Sequence, residues 1–180
     1  MLGRQINNSY FRKVMTKTLF LARHAKASDK QPGQNDTDRE LNSIGLQNST
    51  RMGINFSNKG IQFDIIVSSP AVRAQATASL IAEQLKYDTS KIHLNPEIYE
   101  ASTRTLLQVI NQLKDEWNTV LLVGHNPAIS YLAEYLTKSE IGDMTTCGVV
   151  SIEFELDQWN MISEGTGKMV SYEYPDLLNF

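Results

Sequence analysis

Three short stretches of the chain end in side chains that can hold and transfer a small dianion. "LFLARHAKAS" finishes an apolar run on Arg23 and His24, "IIVSSPAVRA" on Ser68, Ser69 and Arg73, and "LLVGHNP" on Gly124, His125 and Asn126. A guanidinium offers paired N–H donors that match two oxygens of a phosphate, and an imidazole adds one further donor. Two arginines nearby should depress a histidine pKa and keep the ring neutral, hence nucleophilic, near pH 7. Arg23, His24, Arg73 and His125 together therefore read as a phosphate pocket with covalent catalysis through histidine. Taken singly, each stretch reads as a capped helix start or a strand-to-helix turn.

A metal is not called for. No carboxylate flanks His24 or His125 at ligand spacing, and the third histidine, His93, lies in a different apolar context. No cofactor is expected.

Those residues need strands that end together. Thr18 to Ala22, Phe63 to Val67 and "TVLLVGHNP" read as buried strands, and "KIHLNPEIYE" as a short edge strand and a loop. "LNSIGLQNSTRMGINFSNKG" repeats apolar residues at Ile44, Leu46, Met52 and Phe56, with Asn42 or Ser43 as N-cap and Gly60 as stop. "PAVRAQATASLIAEQL" places Ala71, Ala74, Ala78, Ile81, Ala82 and Leu85 on one helix face, with Pro70 in its first turn. "TRTLLQVINQLKDE" is an amphipathic helix, and "PAISYLAEYLT" opens another, with Asn126 as N-cap and Pro127 as first helical residue. "VVSIEFEL" alternates as a strand, and Lys168 to Tyr174 could pair with it across the turn "SEGTGK". Alternating strands and helices predict an α/β fold, three layers α/β/α around a largely parallel sheet, with ligands at the carboxyl ends of the strands.

Composition narrows the function classes. In 180 residues, 17 Lys and Arg face 20 Asp and Glu, a net charge of -3, which excludes a general attraction to nucleic acid or anionic lipid. Any anion site is local. The single cysteine, Cys147, has no disulfide partner and reads as a small buried hydrophobe in a reducing cytoplasm. No apolar run reaches the roughly 20 residues of a membrane-spanning helix. Residues 1–14 are polar and aperiodic and read as a flexible tail, leaving 15–180 as one domain.

"LFLARHAKAS", "DTDRELNSIGLQNSTRMG", "DIIVSSPAVRAQATASLIAEQL", "IYEAS" and "VLLVGHNPAISYLAEYL", in this order, resemble the histidine phosphatase superfamily. That group includes the phosphoglycerate mutases, and the likeness is greatest to its small SixA-type phosphohistidine phosphatases. The resemblance implies a phosphoglycerate mutase-like fold, with His24 as nucleophile and Arg23, Arg73 and His125 holding the phosphoryl oxygens. It also implies a proton donor for the leaving oxygen, for which Glu100 is the candidate and Glu97 the neighbouring alternative. The family commonly has Gly after its histidine, where this chain has Ala25. Asp36, Asp38 and Arg39 read as a solvated loop with salt bridges, with lining the rim of the site as the alternative.

Three functions stay in competition. The chain may be read as a phosphatase for protein-borne phosphohistidine, as a phosphatase for small phosphomonoesters, or as a module that binds phosphorylated partners without turnover. Only 86–119 separate the second helix from the strand before His125, which leaves little room for a lid and favours phosphate carried on a protein.

Overall fold

The strand that precedes His24 organises the fold. In the computed structural model, which describes residues 16–178, β1 (Lys17–Arg23) lies between a parallel and an antiparallel neighbour, and Leu19, Leu21 and Ala22 are essentially inaccessible. The expected tail, 1–14, falls outside the described residues. The sheet contains β2 (Ile65–Ser68), β3 (His93–Leu94), β4 (Thr119–Gly124), β5 (Val149–Phe154) and β6 (Lys168–Glu173), in the order β3-β2-β4-β1-β5-β6. The first four of that order run parallel, and β5 and β6 are antiparallel additions at one side.

Strand pleating sorts the side chains into two cores. Leu19 and Leu21 join Leu122, Leu106 and Ile110 of α3 (Thr103–Asn111), and Ile129 and Leu132 of α4 (Ala128–Thr137). Phe20 and Ala22 face the other way, onto Met52 and Phe56 of α1 (Ser43–Asn58) and Ala74, Ala78 and Ile81 of α2 (Val72–Gln84). Phe20, Phe56 and Phe63 meet edge to face, with ring centres 5.1 to 5.9 Å apart. This is the three-layer α/β/α arrangement expected from the alternation of strands and helices. Among the described residues, no helix is long and apolar enough to cross a membrane.

Register brings the functional strand ends level. Arg23 pairs with Gly124 and Ser68 with Val123, so His24, Ser69 and His125 each follow directly on neighbouring parallel strands.

The structure departs from expectation in three places. The buried stripe of α1 is Gly45, Ser49, Met52, Gly53 and Phe56, whereas Ile44 and Leu46 are about half exposed. Small residues take the inner face because the packing there is close: a side chain at Gly53 would strike Gln84 and Ile81 of α2. In α4 the N-cap is Pro127, one residue later than expected, and Asn126 instead accepts from the Ser130 hydroxyl and donates to the Met144 carbonyl. The hairpin from β5 to β6 is longer than a glycine turn. Its connection carries buried Trp159 and docks on α4 through amides of Gly165 and Gly167 that donate to Tyr135 and Leu136 carbonyls. In α2, by contrast, all six predicted positions are buried.

Asn42 caps α1 by accepting from the Gly45 amide at 2.9 Å, and its own amide donates to the carbonyl of Lys26. The loop leaving His24 thus rests on the start of α1. A methyl group at Gly45 would fall well inside van der Waals contact with that Lys26 carbonyl. Gly45→Ala is therefore expected to cost about 2 kcal/mol of stability through overpacking, measured by urea denaturation.

Candidate active site

His24 is presented with one nitrogen occupied and the other available. Its backbone is fixed by hydrogen bonds from the His24 amide to the Gly124 carbonyl and from the Cys147 amide to the His24 carbonyl. Nδ1 lies 2.8 Å from the Ala25 carbonyl oxygen, which can only accept, so Nδ1 carries the hydrogen. Nε2 then holds the lone pair, toward which Arg73 Nε–H donates at 3.3 Å. Thr77 joins these two groups. Its hydroxyl accepts from the Ala25 amide and donates to the Arg73 carbonyl.

Arg73 is 6% exposed, and its charge is met by Asp36: Nη1 donates to the Asp36 carbonyl at 2.6 Å and Nη2 to the carboxylate at 2.7 Å. The same carboxylate accepts from Arg39 Nη1 and the Tyr99 hydroxyl. The Arg39 bond first, with Arg73 also contributing, lowers the Asp36 pKa to about 2. The loop read as solvated thus supplies salt bridges as expected, but one of them enters the site.

Arg23 donates through Nη1 to the Met144 carbonyl at 2.5 Å, while its buried Nε has no hydrogen-bond partner. His125 lies beside His24 with ring centres 5.0 Å apart and planes tilted by 57°, and it meets Tyr99 at nearly a right angle. Its Nε2 is 2.7 Å from Ser69 Oγ, and its buried Nδ1 has no partner. A buried donor, Arg23 Nε–H, and a buried ring nitrogen, His125 Nδ1, are thus left at the site without a partner among the described residues.

Both imidazoles are held neutral. Burial is the main cause of the fall in the His24 pKa to about 4, opposed by the Ala25 carbonyl and reinforced by Arg73, Arg23 and Arg39. Burial likewise lowers His125 to about 3, with His24 and Arg73 adding to it. The arginines act as the sequence suggested, but desolvation ranks first.

The four residues expected to hold and attack phosphate therefore share one site. Glu100 and Glu97 are exposed, and among the described residues neither carboxylate bonds to any of the four. Glu100 has a left-handed backbone (φ 53°), and its charge acts on the Tyr99 hydroxyl. Lys26 is exposed, and Ser28 serves the loop by accepting from Arg39 Nε on its carbonyl. His93 lies on the edge strand β3, and no group of three His, Cys, Asp or Glu able to hold a metal occurs among the described residues. Cys147 is buried as expected, and burial pushes its thiol pKa up to about 12. The contributions of Tyr99, Thr77 and the Met144 carbonyl had no signal in the sequence, since each depends on tertiary placement.

The depressed histidine pKa values have a measurable sign. Free imidazoles titrate near 6.5, so between that value and about 4 the unfolded chain binds protons that the folded chain excludes. Stability attached to the two rings is complete above pH 6.5 and is lost as the pH falls toward 4. Ring-proton NMR is expected to place the His24 midpoint near 4, and urea melts should lose pH dependence over this range in the His24→Gln, His125→Gln double variant.

Comparison with known proteins agrees with the geometry. Residues 19–106 match the family model of the histidine phosphatase superfamily, branch 1. A serine/threonine-protein phosphatase Pgam5 (mitochondrial) of Drosophila ananassae is 28% identical over 141 residues, which are 63% of this chain and 48% of that protein. The chain thus spans about half the length of that relative. The crystal structure of SixA from Agrobacterium tumefaciens superposes with a TM-score of 0.74 at 25% identity, covering 88% of this chain and 98% of that one. A protein histidine phosphatase SixA complexed with tungstate shares the fold, with a TM-score of 0.77 at 22% identity over 90% of this chain and 99% of that one. The parallel strands ending in Arg23-His24, Ser69 and His125 are those of a SixA-like fold, and over residues 19–106 the chain matches the histidine phosphatase superfamily.

Proposed function

We propose that this chain is a phosphatase that passes a phosphoryl group through His24, and that its substrate is phosphohistidine carried on a protein. The observation that carries the reading is the His24 ring itself: Nδ1–H is committed to the Ala25 carbonyl, and Nε2 keeps its lone pair beside the Arg73 guanidinium.

In the first step Nε2 attacks phosphorus in line, and the electron pair of the broken P–N bond leaves on the substrate imidazole. Because Nδ1 keeps its hydrogen, phosphorylated His24 is an imidazolium, and the Ala25 carbonyl stabilises the positive charge. That charge makes Nε2 a good leaving group. Water then attacks phosphorus, the P–Nε2 bond breaks and its electrons return to Nε2, and the protons of the attacking water leave on the phosphate, released as dihydrogen phosphate. Arg23, Arg73 and His125 neutralise the oxygens at both steps.

Substrate class follows from leaving-group demand and access. An imidazole departs with far less help from a general acid than an alkoxide does, and the exposed Glu100 and Glu97 make no bond to the four residues. The short segment between α2 and β4 leaves little chain to cover the site, which supports phosphate carried on a protein. The Pgam5 relative, a serine/threonine-protein phosphatase by name, supports phosphate carried on a protein but not the imidazole leaving group.

Incubation with a radiolabelled phosphohistidine protein is expected to give an acid-labile adduct on His24 and release of phosphate. His24→Ala should abolish both, and Arg73→Lys should lower kcat by about 10²-fold or more. Release unchanged in His24→Ala would overturn the mechanism. A higher kcat/KM on small phosphomonoesters would reassign the substrate, and tight binding of inorganic phosphate without turnover would leave a binding module.

A further inference from the structure

His125 can serve a phosphoryl oxygen in only one of its two neutral forms. A neutral imidazole has a single N–H, and the partner of one ring nitrogen decides which form is present. Here that partner is Ser69, whose side chain is fully buried at the end of β2. Its Oγ already accepts from the Ala71 amide at 3.2 Å, at the start of α2.

Counting hydrogens separates the two forms. If His125 carried its hydrogen on Nε2, Ser69 Oγ would accept from both His125 and Ala71. The serine hydrogen would then lack an acceptor among the described residues, and the Nδ1 lone pair would be buried without a donor. If the hydrogen is on Nδ1, Ser69 donates to Nε2, every polar atom of the serine side chain is used, and one buried N–H is left over. The first form leaves two buried groups unsatisfied, and the second leaves one.

We infer that Ser69 is a positioning residue that fixes His125 as the Nδ1–H tautomer, so that the remaining N–H donates to the phosphoryl group. The two histidines then adopt the same tautomer for opposite purposes. In His24 the Ala25 carbonyl draws the hydrogen to Nδ1 and leaves the attacking lone pair on Nε2; in His125 the Ser69 hydroxyl occupies Nε2 and leaves an unpaired donor on Nδ1. The low pKa of His125 supports this division, because a ring that stays neutral must have its single hydrogen on the useful side.

This inference rests on the phosphatase reading for the purpose of the donor, but the tautomer is measurable in the free protein without substrate. Long-range ¹H–¹⁵N spectra of the imidazoles at neutral pH are expected to show His125 protonated on Nδ1. Ser69→Ala should move the hydrogen to Nε2 and lower kcat/KM on the phosphohistidine protein about tenfold or more, while Ser69→Thr, which keeps the hydroxyl, restores the wild-type ring pattern. An Nε2–H pattern for His125 in the wild-type protein overturns the inference by itself, whether or not the variants fold. An Nδ1–H pattern that persists in folded Ser69→Ala would equally remove the serine from the role. Inactivity of the wild-type protein with the expected Nδ1–H spectrum would count against the substrate reading and leave the tautomer assignment standing.

Discussion

The guanidinium of Arg73 is the charge around which this site is arranged. A cation that is 6% exposed has given up most of its hydration, and such a group persists only where other polar groups replace the water. Asp36 replaces it twice, with its carbonyl and its carboxylate, and His24 Nε2 takes the third donor. The loop between β1 and α1 is folded to make this possible. An isolated bridge joins Ala27 to Leu41, Arg39 Nε donates to the Ser28 carbonyl, and Arg39 Nη1 grips the same Asp36 carboxylate. Loop, helix and His24 are therefore positioned by one carboxylate, its two ion pairs and the hydrogen bonds around them.

The histidines are neutral first because they are buried: a protonated imidazole here would be poorly hydrated, and the like charge of buried Arg73 and partly buried Arg23 adds to that cost, so both rings lose affinity for the proton. The Arg73 Nε–H that points at the His24 lone pair has a second use. In the proposed reaction that lone pair is consumed in the new bond to phosphorus, and the N–H becomes free for a phosphoryl oxygen. Asp36 keeps the guanidinium oriented during the exchange. The ground-state contact thus holds the arginine ready for the charge it must meet.

The strands and their chemistry were legible because a buried parallel strand is a continuous apolar run that stops abruptly, and these stop on Arg23-His24, Ser68-Ser69 and Gly124-His125. Helix α2 was equally clear, since its alanines recur at helical spacing. The inner face of α1 was hidden, because glycine and serine carry little hydrophobic signal although close packing on α2 requires small residues there. Asp36 was visible only as one acid in a polar loop. Its selection over Asp38 depends on which carboxylate the fold carries to Arg73, a contact spanning 37 positions that no local pattern encodes. Asn126 followed the N-cap rule in type and position, but its amide found two tertiary partners instead.

The same distinction between backbone and side chain resolves the substitution that sets this chain apart from the common family pattern. Where glycine is usual after the nucleophile, Ala25 might be taken to crowd the phosphate. Its methyl group is completely buried in the core beneath α1 and α2, alongside Phe20, Met52 and Ala78. What faces the chemistry is its backbone: the carbonyl accepts from His24 Nδ1, and the amide donates to Thr77. Both functions are available to glycine and alanine alike. Alanine also restricts the unfolded chain more than glycine does, provided the conformation is one it can adopt, and Ala25 is not among the described residues with positive φ. The departure from the family pattern therefore leaves the attacking geometry intact and adds apolar contact to the layer that supports it.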